Sequence, residues 1–253
     1  MIKATLKDHM GSDLTVVNAA RVSFGKTSHA VDWLNYDYED GSRCGDLIAV
    51  LDERDQKLIR YLAKHNHISP FGHAFASFHV KAPIFVARQL VKHSFLRWNE
   101  VSRRYVDDEP EFYVPDVWRG RSADKKQGSE GVVELGFFNT EGCRFEGYFG
   151  EGTLAEAVSE YAQDLTRLYE ALILVGVAPE QARMVLPQST MTEWWWSGSL
   201  DAFARMCNLR LPSDTQYETR VVAEQVSKVL GDLFPVSWAS LVPLSVSMTE
   251  YVE

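Results

Sequence analysis

The segment His73–Ala82, HAFASFHVKA, constrains the fold more than any other, because its side chains alternate with the two-residue period of a strand. Ala74, Ala76, Phe78 and Val80 share one face, and Ser77, His79 and Lys81 share the other. A turn at Ser69–Pro70 leads into it, and Pro83 both ends the strand and suits the first turn of a following helix, IFVARQLVKH. The rest of the chain is predicted to be mainly helical. Asp52–His65 carries acids first and then Leu58, Tyr61, Leu62 and His65 at helical spacing. Thr153 and Glu156 form a capping box opening a helix to about Val175, with Gly176 as its stop. A short helix follows between Pro179 and Pro187, another runs from an N-cap at Ser199 through LDAFARMCNLR, and a last one covers about Asp214 to Leu230. Trp118 to Gly147 is rich in Gly and charge and reads as a long surface excursion. This mixture of helices and strands predicts an α/β or α+β domain.

Charge and cysteine content narrow the function. The 253 residues carry a formal charge of −9, which repels nucleic acid at long range. One stretch departs from that balance: Arg88–Arg104 holds five lysines and arginines and a single acid, Glu100. A local cationic patch on an acidic protein suits a small anion; a solvated helix face is the alternative. Cys44, Cys143 and Cys207 are odd in number and outside any CxxC spacing, so neither a disulfide framework nor a cysteine zinc site organises the chain. The amino terminus lacks a secretory pattern and no apolar run approaches the roughly 20 residues of a membrane span. A soluble cytoplasmic protein is expected.

Several polar residues occupy positions that call for chemistry. In the helix after Ser199, Leu200, Phe203 and Cys207 define the apolar stripe, and Arg210 falls on it. A guanidinium there needs an acceptor, either a structural carboxylate such as Asp214 or Glu218 or a ligand. Arg183, before the apolar run Met184–Leu186, poses the same question. Arg88 and Lys92, and likewise Gln89 and His93, are predicted one helical turn apart. Ser102 beside Arg103 and Arg104 offers a hydroxyl, backbone N–H groups and guanidinium forks, donors suited to a phosphate.

RQLVKHSFLRWNEVSRRY resembles the signature of the flavin-dependent thymidylate synthases, an Arg-His-Arg triplet followed at fixed spacing by Asn-Glu-x-Ser-x-Arg-Tyr. RVSF, KHNHISPFGH, FHVKAPIFVARQ, EFYVP, ARMVLP and NLR recur in the family's order, covering nearly the whole chain apart from the 118–147 insertion. The resemblance implies one domain over residues 1–253, with a central mixed sheet flanked by helices. It implies a substrate site for dUMP formed by Gln89, Glu100, Val101, Ser102, Arg103, Arg104, Arg183 and Arg210, with Arg210 polarising the uracil ring and Ser102 the other candidate catalytic residue. Cofactor contacts are implied for Ser23, His67, Ser69, Lys92, His93, Ser94 and Phe95, and for Ser199 and Arg205 in a loop where the family often shows Asn and Arg. The cofactor implied is FAD, with NADPH and 5,10-methylenetetrahydrofolate as co-substrates, in a homotetramer with shared active sites. The chain departs from the pattern in three places: the triplet is Lys92-His93-Ser94, for which Arg97 could restore the missing cation; an acid usual at Gly72 is absent; and Asp201 stands near Ser199 and Arg205.

Other readings are weaker. His65, His67 and His73 lack an acid or cysteine at ligand spacing, so no metal is expected. Trp194, Trp195 and Trp196 point in different directions along any regular element and suit a core and subunit contact better than a base-stacking platform. A sister activity that transfers another one-carbon group to a pyrimidine, such as hydroxymethyl, is the enzymatic alternative. A single-stranded nucleic-acid binder is the non-enzymatic one.

Overall fold

In the computed structural model, residues 1–37, 43–106, 108–123, 128–133 and 154–243 are described. The chain folds as two compact units, one formed by residue 1, 81–89 and 100–193, the other by 2–80, 90–99 and 194 onward.

The second unit carries most of a four-stranded sheet. Its strands are β1 (Lys3–Met10), β4 (Phe75–Pro83), β5 (Leu96–Glu100) and β8 (Met191–Ser199), in the order β1-β4-β8-β5. The predicted alternation in β4 is observed: Ala76, Phe78, Val80 and Ala82 are buried, with Phe75, Ser77, His79 and Lys81 more exposed. Strand β8 behaves the same way, so Trp194 and Trp196 are each 1% exposed while Trp195 is 47% exposed. Trp98 of β5 stacks on Trp194 with centroids 4.4 Å apart. Helix α6 (Leu200–Arg210) covers this apolar face, and its Phe203 meets Phe78 at 5.4 Å and Trp196 at 5.3 Å, both edge to face. A small antiparallel pair, β2 (Asp32–Asp37) with β3 (Arg43–Val50), belongs to the same unit.

Helices α1 (Asp13–Arg21), α2 (Glu53–Lys64), α7 (Tyr217–Leu233) and α8 (Pro235–Leu241) complete that unit. Asp13 is buried because its carboxylate accepts the Val236 and Ser237 N–H groups at 2.8 and 2.9 Å, satisfying donors that the first turn of α8 leaves free. The buried face of α2 is Asp55, Ile59 and Leu62, whereas the sequence placed Leu58, Tyr61, Leu62 and His65 together. Tyr61 and His65 are exposed, and their rings meet at a tilt with centroids 4.3 Å apart. The reason is Asp55, which takes the core-facing position because Arg21 of α1 neutralises it through Nε at 3.0 Å and a second N–H.

The first unit contains α3 (Ile84–Leu90), the antiparallel pair β6 (Arg119–Arg121) and β7 (Ser129–Val132), α4 (Leu154–Leu174) and α5 (Pro179–Ala182). The predicted stop at Gly176 is present: it adopts φ +89°, and Val177 donates to Leu172 O at 2.9 Å. Thr153 of the predicted capping box and most of the 118–147 insertion lie outside the described residues. Among the described residues no helix is long and apolar enough to cross a membrane.

Helix α3 stops at Leu90 and does not continue to His93 as predicted. Residues 91–95 form turns, and Phe95 has φ +67°, a left-handed conformation that costs a bulky residue on the order of 1–3 kcal/mol. Arg88 and Lys92, and Gln89 and His93, therefore do not share one helix as predicted. Gly198 of β8 permits this turn, since a Cβ there would lie 2.9 Å from Phe95 O and 2.5 Å from Leu96 Cδ2. Gly198→Ala is expected to destabilise the protein by about 1–3 kcal/mol, against the usual gain from replacing a strand glycine, because the backbone oxygen cannot move aside as a side chain would. Thermal melting checks it, and an unchanged or higher Tm would contradict the close packing.

Candidate active site

In the first unit, Glu100 ends β5 and Val101–Arg104 form the loop after it. Two contacts with β8 anchor the loop: Val101 N donates to Glu193 O at 2.9 Å, and the Thr192 hydroxyl donates to Glu100 Oε1, also at 2.9 Å. Thr192 is a site-supporting residue that sequence reasoning missed, and its place on the buried face of β8 is the signal that could have found it. The Ser102 hydroxyl accepts from Arg104 N at 3.4 Å and from Arg104 Nε at 3.3 Å. Arg104 also lies over the Tyr105 ring, 5.2 Å from its centroid, while Arg103 donates to Asp108 O. One hydroxyl and two guanidinium forks thus converge on a short exposed loop, a donor set matched to a phosphate. Gln89 lies half-buried at the end of α3. Arg183 begins a 3-10 turn after α5, and its exposed guanidinium makes no hydrogen bond or ion pair with described residues.

In the second unit, α6 is the hub. Its first residue donates from Leu200 N to Ala74 O at 2.8 Å, tying it to the end of the 3-10 turn Ser69–His73. That turn also packs on α1, whose end leads into the turn bearing Ser23. Ser23, His67, Ser69, Lys92 and Ser94 are all exposed, and Phe95 is 77% exposed. His67 lies edge to face with Tyr61 at 6.0 Å. Among the described residues no group of three or more His, Cys, Asp or Glu is arranged to hold a metal ion.

At the other end of α6, Arg210 Nε donates to His93 Nε2 at 3.1 Å. The sequence left Asp214, Glu218 or a ligand as its partner and did not offer this imidazole; Glu218 accepts from Gln216 Nε2 at 3.2 Å. This geometry requires an unprotonated Nε2, so His93 is neutral with its proton on Nδ1. Burial first, and then the Arg210 charge, lower the His93 pKa from 6.5 to about 4. Burial also lowers the Arg210 pKa. His93 thus binds fewer protons folded than unfolded between about pH 6.5 and 4, so its contribution to stability is complete above that window and is lost as pH falls through it. NMR titration should find His93 neutral down to about pH 4. In Arg210→Ala its pKa should rise only part of the way to 6.5, because burial is the larger cause. A wild-type value near 6.5 would contradict the pairing.

Cys207 is buried with its thiol 3.6 Å from Ala223 O, and burial raises its pKa, so it is no thiolate nucleophile. Ser199 is the N-cap of α6 as expected, but its hydroxyl donates to Asp201 Oδ1 at 2.6 Å and does not cap the helix.

The sequence pattern of the family described as Thymidylate synthase complementing protein matches residues 5–236. The chain belongs to this family. Its relatives include the flavin-dependent thymidylate synthase of Thermus thermophilus, 35% identical over 93% of this chain and 73% of that one. The enzyme of the same name from Kosmotoga olearia is 36% identical over 92% of this chain and 86% of that one. Among solved structures, the UMP/dUMP methylase PolB from Streptomyces cacaoi bound with 5-Br dUMP is similar, with a TM-score of 0.71 and 29% identity over 95% and 94% of the two chains. The same enzyme bound with 5-Br UMP gives a TM-score of 0.72 at 27% identity over 98% and 97%. The α+β fold and the flavin-dependent thymidylate synthase resemblance read from the sequence are both borne out.

The second unit also fits a flavin. Phe95 offers an exposed ring face, the Lys92 ammonium makes no hydrogen bond or ion pair with described residues, and Arg205 lies over Phe95 at 5.2 Å. That combination of ring and cations suits an aromatic, anionic cofactor. Near Ser23, a cleft of about 400 Å³ is lined in part by Arg21, Lys26, His29 and Arg54, together with Asp52 and Asp55.

Proposed function

We propose that this chain converts dUMP to dTMP by reductive methylation, with FAD as the flavin, NADPH as its reductant and 5,10-methylenetetrahydrofolate as the carbon donor. The family match over residues 5–236 carries this reading, and the donor chemistry of the Glu100–Arg104 loop supports it. The nucleotide phosphate is held by Ser102, Arg103, Arg104 and Arg183, while Gln89, Glu100 and Val101 fix the ribose and base. Arg210 stabilises negative charge developing on the uracil oxygens, and neutral His93 keeps its guanidinium oriented. Ser102 acts as a hydrogen-bond donor. Ser23, His67, Ser69, Lys92, His93, Ser94, Phe95, Ser199 and Arg205 hold the flavin, which when bound and reduced supplies the hydride. The protein works as a cytoplasmic homotetramer with shared active sites, and residues 1–253 act as one catalytic domain in which 118–147 is an insertion.

The co-substrate assignment is tested by mixing the FAD-loaded protein anaerobically with NADPH, then adding methylenetetrahydrofolate with dUMP or UMP and weighing the product. Bleaching of the flavin followed by dTMP is expected. Flavin that stays oxidised would overturn NADPH as reductant, and a product heavier than dTMP by one oxygen would overturn methylation.

A further inference from the structure

The triplet of this chain lacks its second arginine, and Arg97 is the nearest cation in sequence to replace it. Arg97 is exposed on β5 and its guanidinium makes no hydrogen bond or ion pair with described residues. The guanidinium that does reach the turn comes from α6: Arg205 Cζ is 5.2 Å from the centroid of Phe95. Its position is held by Asp201, whose Oδ2 meets Arg205 Nη1 at 2.9 Å and whose Oδ1 accepts the Ser199 hydroxyl at 2.6 Å. We propose that Asp201 is a positioning residue that sets Arg205 over the Lys92–Phe95 turn, where Arg205 serves as the second cation toward the anionic part of the flavin cofactor. This rests on the flavin reading above.

An acid in the first turn of a helix paired with an arginine four residues on is a common surface arrangement. Three observations separate this pair from it. The Asp201 side chain is only 11% exposed although its partner is 52% exposed, so it is built into the site and not solvated beside it. Both of its carboxylate oxygens are used, and the Ser199 hydroxyl is drawn away from capping α6 to hold one of them. The surface that Arg205 covers is a strained, left-handed, largely exposed phenylalanine, a conformation that persists only where its surroundings impose it.

The glycine at position 72 belongs to the same arrangement. A Cβ there would lie 4.0 Å from Asp201 Oδ1, so an acid at 72 would put a second carboxylate against the first. Gly72 thus leaves the Asp201 carboxylate as the acid facing this position.

The test is FAD affinity of the full-length protein, by titration of flavin fluorescence, with the visible spectrum of the bound flavin and thermal melting as a folding control. Arg205→Gln is expected to weaken FAD by about tenfold or more, as loss of a charge-assisted contact does. Asp201→Asn should weaken it in the same direction, and the double variant should be no weaker than Arg205→Gln alone. Ser94→Arg added to Arg205→Gln should restore affinity, which also serves if Asp201→Asn fails to fold. Affinity of Arg205→Gln equal to wild type, or additive losses in the double variant, would overturn the proposal. Wild-type protein that binds no FAD at all would overturn the flavin reading itself, and this proposal with it.

Discussion

Arg210→Ala is expected to lower turnover by about 10²–10³-fold while leaving the flavin bound, the loss typical of removing one preorganised donor to developing negative charge. The expectation follows from where the guanidinium is held. Arg210 is the last residue of α6, on the stripe of Leu200, Phe203 and Cys207, which are all buried. Burial lowers its pKa, and its Nε donates to the His93 imidazole at 3.1 Å, which fixes the direction of the fork. As a neutral acceptor, His93 orients the guanidinium without taking its proton. Turnover and flavin absorbance measured on the same preparation check the point. Loss of flavin together with activity would make Arg210 structural and remove it from the chemistry.

Trp196→Ala should cost about 3–5 kcal/mol, near the upper end for a core truncation, and lower Tm by roughly 6–20 °C. Trp196 is 1% exposed and lies edge to face with Phe203 at 5.3 Å and Trp98 at 6.0 Å, so its removal opens a cavity between β8, β5 and α6. Trp195, next in the chain but 47% exposed on the opposite face, is the control. Its replacement should change Tm by the equivalent of about 1 kcal/mol or less in dilute protein. Any larger effect that grows with protein concentration would mark that face as a contact between copies of the chain. Equal losses at both positions would contradict the packing described for β8.

Local periodicity carried much of this architecture, and long-range pairing decided the rest. The alternation of Ala76, Phe78 and Val80 and the stop at Gly176 were readable because each depends on neighbours within a few residues. The buried face of α2 was not, because Asp55 enters the core only through Arg21, a partner 34 positions away. Helix α3 was read three residues too long for a related reason. Nothing in LVKHSF breaks a helix locally; the left-handed Phe95 is accommodated by Gly198, more than 100 positions later. The candidate site shows the same division. Ser102 and its two arginines declared themselves as a cluster, while the partner of Arg210 was open between Asp214, Glu218 and a ligand, and His93 was met only in the fold. Asp201 stood out in the sequence only as a departure from a family pattern, and its contacts with Ser199 and Arg205 are what give it a role.

The most direct test of the central claim is release of tritium from dUMP labelled at C5, with NADPH and methylenetetrahydrofolate, with and without added FAD. Release that requires both flavin and folate, with dTMP as the product, is expected. Folded, flavin-loaded protein that releases no tritium under these conditions would contradict it.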